Sequence, residues 1–193
     1  MIRVYITAYI TSFVSIILHE SAHIAAAAAF SAGIGKVQIS PVGLSVELGA
    51  FEHLPLIKKL PVLLAGPALN FLFVFLFASN PFIRNANLLI GLFNLLPVYP
   101  LDGGRVLYVI LYRLTGGLRA VRIVMGLSAA LCYLMIMAGL VLLILFPFNP
   151  SLFCVGVYLK KSLRRHRTML LLKLYGDFAK ESVLLRGNLP GLD

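Results

Sequence analysis

From Ile6 to Phe30 the chain is almost wholly apolar, yet it carries His19, Glu20 and His23 within five residues. An apolar run of about 20 residues is the length a helix needs to cross a bilayer. An ionisable group at the centre of a bilayer costs roughly 2.5–3.5 kcal/mol on insertion scales. Three of them in one turn and a half therefore need a role. On a helix, His19 and His23 stand one turn apart and about 40° round, so both imidazoles reach a single ion. Glu20 lies close to the same face and can act on a water beside that ion, the logic of the HExxH pattern. HExxH is short and arises by chance, mostly on solvated helix surfaces. The apolar setting removes that explanation.

The rest of the composition agrees. The chain has 193 residues, 60% of them hydrophobic, and a mean hydropathy of +0.95. That lies far above a soluble globular domain and predicts an all-α integral membrane protein. The formal charge of +10 would suit nucleic acid, but the positions of the charges fit membrane topology instead, so no nucleic-acid partner is expected. Arg3 gives only a weak basic start, and no small-residue cleavage site follows it, so no removable leader is expected. Cys132 and Cys154 sit in apolar segments without metal or disulfide spacing and read as small core residues.

Hydropathy predicts a polytopic bundle of about five spans, near residues 4–30, 57–78, 87–113, 119–146 and 151–162, the last being short. In that arrangement Lys36, Lys58, Lys59, Arg113, Arg119, Arg122 and the cluster Lys160, Lys161, Arg164, Arg165 and Arg167 share one side, against Arg3 and Arg84 on the other. The positive-inside rule then puts the N-terminus outside and the C-terminus in the cytosol, with the His19 site opening to the cytosol. Two parts are expected: a membrane domain over residues 1–163 and a basic amphipathic cytosolic tail over 164–193. Asp177 and Glu181 read as solvated tail. Residues 35–48 have β-branched positions, a central Pro41 and Gly43 and partial alternation. They predict a small membrane-associated β-hairpin, which must pack on protein or line water.

The third span contains Asn94-Leu95-Leu96-Pro97-Val98-Tyr99-Pro100-Leu101-Asp102-Gly103-Gly104-Arg105. Two prolines and two glycines predict a broken helix. Irregular backbone at membrane depth is tolerated only where it is buried in protein or lines a cavity. Asp102 sits at that break, one of seven acidic residues in the chain. A catalytic zinc takes three protein ligands plus water, so His19, His23 and Asp102 form a candidate set for one Zn2+ per chain. The competing reading is a structural Asp102–Arg105 ion pair. Backbone amides freed at Gly103 and Gly104 are placed to position substrate or to support the ligands.

HExxH in one apolar segment, followed by Asn-x-x-Pro and Leu-Asp-Gly-Gly in a later one, resembles the site-2 proteases, intramembrane zinc metalloproteases, and among them the sporulation branch. NLLPVYPLDGGR carries the aromatic typical of that branch, and Ala65-Gly66-Pro67-Ala68-Leu69-Asn70 resembles the family's middle-span element. The likeness runs from about residue 10 to 175. It implies that His19, His23 and Asp102 hold the zinc and that Glu20 is the general base. It further implies that Asn94 and Pro100 help seat substrate and that Asn70 faces the site. His53, in a loop Glu-His pair, is not an expected ligand. The chain departs from the sporulation branch in two ways: that branch has a further span before HExxH and a nucleotide-sensing CBS domain after the last span, and no CBS domain is expected here.

The implied activity is regulated intramembrane proteolysis, with a membrane-associated sigma-factor precursor as substrate and inhibitory membrane proteins as partners. The site would then lie in the cell membrane or the outer forespore membrane. A general site-2 protease would cut an anti-sigma factor or a signal-peptide remnant. A non-catalytic metal-binding membrane regulator is the alternative from another class, against which intact Glu20 argues. A transporter would show inverted repeats, and none is visible. Water and substrate must reach His19, so Asp102, Tyr99 and residues 42–45 are expected to flank a cleft on the cytosolic side.

Overall fold

The computed structural model describes residues 2–30, 34–40, 43–48, 55–145 and 149–187. Among them the elements run α1 (Ile2–Ala29), β1 (Ile34–Ser40), β2 (Gly43–Leu48), α2 (Leu56–Leu76), α3 (Pro81–Asn94), α4 (Asp102–Thr115), α5 (Gly117–Leu145) and α6 (Ser151–Gly187). The chain divides into two compact units. One is Met1–Pro97 with Leu101–Val109, the other Val98–Pro100 with Ile110–Asp193.

In the first unit, α1 turns Tyr5, Ile6, Tyr9, Ile10 and Phe13 outward and buries Ser15, His19, His23 and Ala27. Every fourth residue is inside, and three of those four are polar. A water-soluble amphipathic helix has the opposite arrangement. Lipid as the solvent accounts for it, because ionisable groups in a membrane helix face the protein interior. On α2 the inward stripe is Val62, Gly66 and Asn70, flanked by Leu63 and Pro67. Ala27 packs on Val62, with Ala26 and Phe30 beside them. Pro61 and Pro67 lie inside α2, as a membrane helix tolerates when neighbours satisfy the freed carbonyls.

The third apolar run is broken where its prolines predict, but it starts earlier than expected. It is two helices of 14 residues each, α3 and α4, joined through residues 95–101. The first begins at Pro81, six residues before the expected start at 87. Asn80 caps it, accepting from the amides of Phe82 (3.1 Å) and Ile83 (3.2 Å), and Pro81 takes the first helical position. Pro97 and Pro100 keep the connection out of helix, and the Tyr99–Pro100 bond is cis. Asp102 is the first residue of α4 rather than part of the break.

β1 and β2 pair antiparallel, with Ser40 opposite Gly43, Val37 opposite Val46 and Ile34 opposite Leu48, and the register shifts between Ile34 and Val37. β2 runs beside α1. Residues 41–42 and His53 lie outside the described residues.

In the second unit α5 and α6 pack antiparallel. A Cβ on Gly139 would lie 2.6 Å from Phe153 Cα, and one on Gly156 would lie 3.1 Å from Ile136 N. The two backbones therefore touch through small residues, as membrane helices do. Val124, Met125, Cys132, Leu159 and Leu163 form the core of the pair. Cys132 is buried, Cys154 is exposed, and both are free thiols. Ser128 Oγ accepts from the Tyr99 amide at 2.9 Å. The helix α6 is continuous over 37 residues; it passes without interruption through residue 163, where the sequence suggests the end of a span and the start of a tail. Among the described residues three helices are long and apolar enough to cross a membrane: Arg3–Ala29, Lys58–Leu76 and Gly117–Leu145.

Candidate metal centre

The centre is built in the first unit from α1, α2, α3 and the first turn of α4. His19 Nε2 and His23 Nε2 lie 3.2 Å apart, and Asp102 Oδ2 lies 3.1 Å from the first and 3.2 Å from the second. His19 and Asp102 are buried and His23 is nearly so. Among the described residues this is the one group of three or more such side chains arranged to hold a metal. No ion pair joins Asp102 to Arg105 among those residues; the carboxylate faces the two imidazoles instead.

The outer nitrogens of both rings are engaged. His19 Nδ1–H donates to Asn70 Oδ1, and His23 Nδ1–H donates to the Val62 carbonyl at 2.7 Å. A carbonyl has two lone pairs, so Val62 can serve both its helix and the ring. With each proton held on Nδ1, both Nε2 lone pairs point at one another and at a carboxylate oxygen. Three acceptors at that spacing repel unless a cation lies between them. Bonds of about 2.0–2.1 Å at tetrahedral angles place ligand atoms about 3.3 Å apart, close to the separations found. The donor set therefore fits zinc, and three protein ligands leave a fourth position for water or substrate.

Asn70 is itself fixed. Its Nδ2 donates to Asn87 Oδ1 at 2.8 Å. Asn87 Nδ2 donates to Ser15 Oγ at 3.0 Å and to the Ile83 carbonyl at 2.9 Å. Ser15 is one turn before His19 on α1, so a buried polar chain runs from α1 through α3 and α2 and back to α1. Orienting hydrogen bonds of this kind set the tautomer of a ligating histidine. Gly66 supplies the room: a Cβ there would lie 2.7 Å from His19 Nε2 and would also collide with His23.

The structure brings together His19, His23, Asp102 and Asn70. Glu20 is half-buried on α1, where His23, His19, Asp102 and Arg105 act on its charge. Asn94 instead donates to the Ile90 carbonyl of its own helix at 3.0 Å. Gly103 is a packing position, since a Cβ would lie 2.6 Å from the Leu96 carbonyl oxygen and closer still to that of Leu95. Pro100 belongs to the second unit. The sequence gives no local sign of Ser15 or Asn87, whereas Gly66 stands beside Asn70 in the middle-span element.

The chain is similar to known proteins in sequence and in fold. A family model described as peptidase family M50 matches residues 78–138. A zinc metalloprotease of Methanocaldococcus jannaschii is 31% identical over 159 residues, which is 75% of this chain and 46% of that protein. Stage IV sporulation protein FB of Bacillus subtilis is 30% identical over 159 residues, 77% of this chain and 54% of that protein. The chain thus spans about half the length of these curated relatives. Among solved structures, the site-2 protease from Methanocaldococcus jannaschii is similar with a TM-score of 0.67 and 26% identity, over 82% of this chain and 76% of that one.

Proposed function

Because the chain belongs to the site-2 protease family, peptidase family M50, we propose that it is an intramembrane zinc endopeptidase. The observation that carries this reading is the convergence of His19 Nε2, His23 Nε2 and Asp102 Oδ2 inside an apolar helical setting. Those three atoms would hold the ion. Zinc in such a site supplies two things, a lowered pKa for water and polarisation of a carbonyl. Glu20 takes the proton of the attacking water on its carboxylate and passes it to the leaving amide nitrogen. Asn70, Asn87 and the Val62 carbonyl keep both Nδ1 atoms protonated, so the rings cannot rotate out of use. A helical substrate has its carbonyls hydrogen-bonded and must unwind first. A two-stranded pair such as β1–β2 is suited to take an extended peptide by strand addition. Asn94, at the end of α3, and Pro100, within the non-helical stretch 95–101, are assigned to help seat the substrate.

The substrate proposed is a membrane-associated protein, and the likeness to a sporulation protein favours the precursor of a sigma factor, with inhibitory membrane proteins as regulators. This reading makes the chain a multi-pass protein of the cell membrane or outer forespore membrane, its site and C-terminus facing the cytosol as the one-sided Lys and Arg distribution favours. The test is co-expression with membrane-tethered transcription-factor precursors. Wild type cleaves one of them; Glu20→Gln retains zinc and loses turnover by at least about 100-fold, the lower range for a lost general base. Cleavage by Glu20→Gln at the wild-type rate would remove Glu20 from this role. Undiminished zinc in His23→Ala or Asp102→Ala would remove the ligand set.

A further inference from the structure

The second unit contains a groove of about 580 Å³ between α5 and α6, lined by none of the residues assigned to the metal centre. Arg122 of α5 and Lys160, Arg164 and Arg167 of α6 line it. On α6 these three are spaced i, i+4 and i+7, one helix face. Between Gly103 and Gly176 the sequence contains no aspartate or glutamate, and none of the four cations has a carboxylate partner among the described residues. Lys160 Nζ is held 4.1 Å from the centroid of the Tyr133 ring, a cation–π contact that draws its charge along the groove wall. The floor is apolar, with Met125 and Leu163 buried in it, and it is kept open by Gly126 and Ala129. A Cβ on Gly126 would meet nothing within 4 Å. Arg122 stands five residues beyond the start of α5, about 8 Å along a helix long enough to span a bilayer.

We propose that this groove binds one anionic phospholipid, its headgroup phosphate on Arg122, Arg164 and Arg167 and an acyl chain along the apolar floor. Cations converging from two helices, with no carboxylate partner among the described residues, match a phosphate. An adjoining apolar wall on a membrane helix matches the chain attached to it. Basic pockets between membrane helices on the cytosolic side bind acidic headgroups for this reason. A general surface potential would treat all cations of this unit alike, whereas a built site distinguishes those lining the groove from Arg113, Arg119 and Arg165, which do not.

The test is lipid titration of the purified full chain in neutral detergent, read by native mass spectrometry and by thermal melting, with phosphatidylglycerol and phosphatidylcholine of matched chains. Wild type is expected to retain one phosphatidylglycerol and to melt higher with it. The triple variant Arg122→Gln, Arg164→Gln, Arg167→Gln should bind it about 100-fold more weakly, three cations each contributing about 1 kcal/mol. The charge-matched variant Arg113→Gln, Arg119→Gln, Arg165→Gln should bind as wild type does. Gly126→Phe should block the groove with every charge retained. Equal weakening in the two triple variants, or equal retention of phosphatidylcholine, would overturn the proposal. Inorganic phosphate that displaces the lipid at equal concentration would also overturn it, since the site would then recognise a free anion. Should Gly126→Phe fail to fold, the two charge variants still decide between the outcomes.

Discussion

The orientation of one imidazole rests on a residue that never touches the metal position. Asn87 fixes which end of the Asn70 amide meets His19, because Asn87 is itself pinned by Ser15 and the Ile83 carbonyl. Asn87→Leu keeps the volume and removes the hydrogen bonds, so zinc affinity should fall about 10–100-fold. Competition with a chromophoric chelator measures it; Asn94→Leu, whose amide bonds only its own helix, should leave affinity unchanged. Equal affinity in the Asn87 variant would show that His19 is oriented without it. His19, Glu20, His23 and Asp102 are legible in the sequence because helical spacing is local and ionisable groups are rare in apolar segments. Ser15 and Asn87 are not. A serine or an asparagine in an apolar run has no periodicity that names its partner, and these two are 72 residues apart.

At the scale of elements, the metal position depends on how the first turn of α4 seats against the end of α3. Gly103 lies so close to the Leu95 and Leu96 carbonyls that a methyl group there has no space. The obstacle is backbone, so it cannot rotate away. Gly103→Ala should push α4 off its seat, move Asp102, and lower the bound zinc well below one per chain by metal analysis while the chain still inserts. Full zinc content in that variant would show that α4 tolerates the shift. Apolar runs long enough to cross a bilayer predicted α1, α2 and α5 directly, because length and composition alone mark them. The break between α3 and α4 was legible in Pro97 and Pro100, but the start of α3 was not. Asn80 and Pro81 cap α3 upstream of the apolar run, and a hydropathy window does not register a cap. The continuity of α6 was also hidden, since the change from apolar to basic near Lys160 alters its surroundings without breaking its backbone.

For the whole molecule, zinc held by the proposed set would be linked to folding, because a ligand that binds only the folded state stabilises it by about 2.7 kcal/mol at 100 times its Kd. Chelation should therefore lower the melting temperature of Glu20→Gln protein in detergent, and should leave His23→Ala protein unchanged. No change in either would mean that the helices hold the site together without the ion. Topology is decided by cysteine labelling at positions 3 and 193, expected on opposite faces of the membrane; labelling from the same face would remove one span from the five. The separation of the donor atoms along the chain has a consequence in time. His19 and Asp102 are 83 residues apart. At about 5–20 residues per second of synthesis, His19 is joined to the chain roughly 4–17 s before Asp102 is. During that interval the nascent chain carries His19 and His23 without Asp102, so the proposed ligand set stays incomplete until the first turn of α4 has been made.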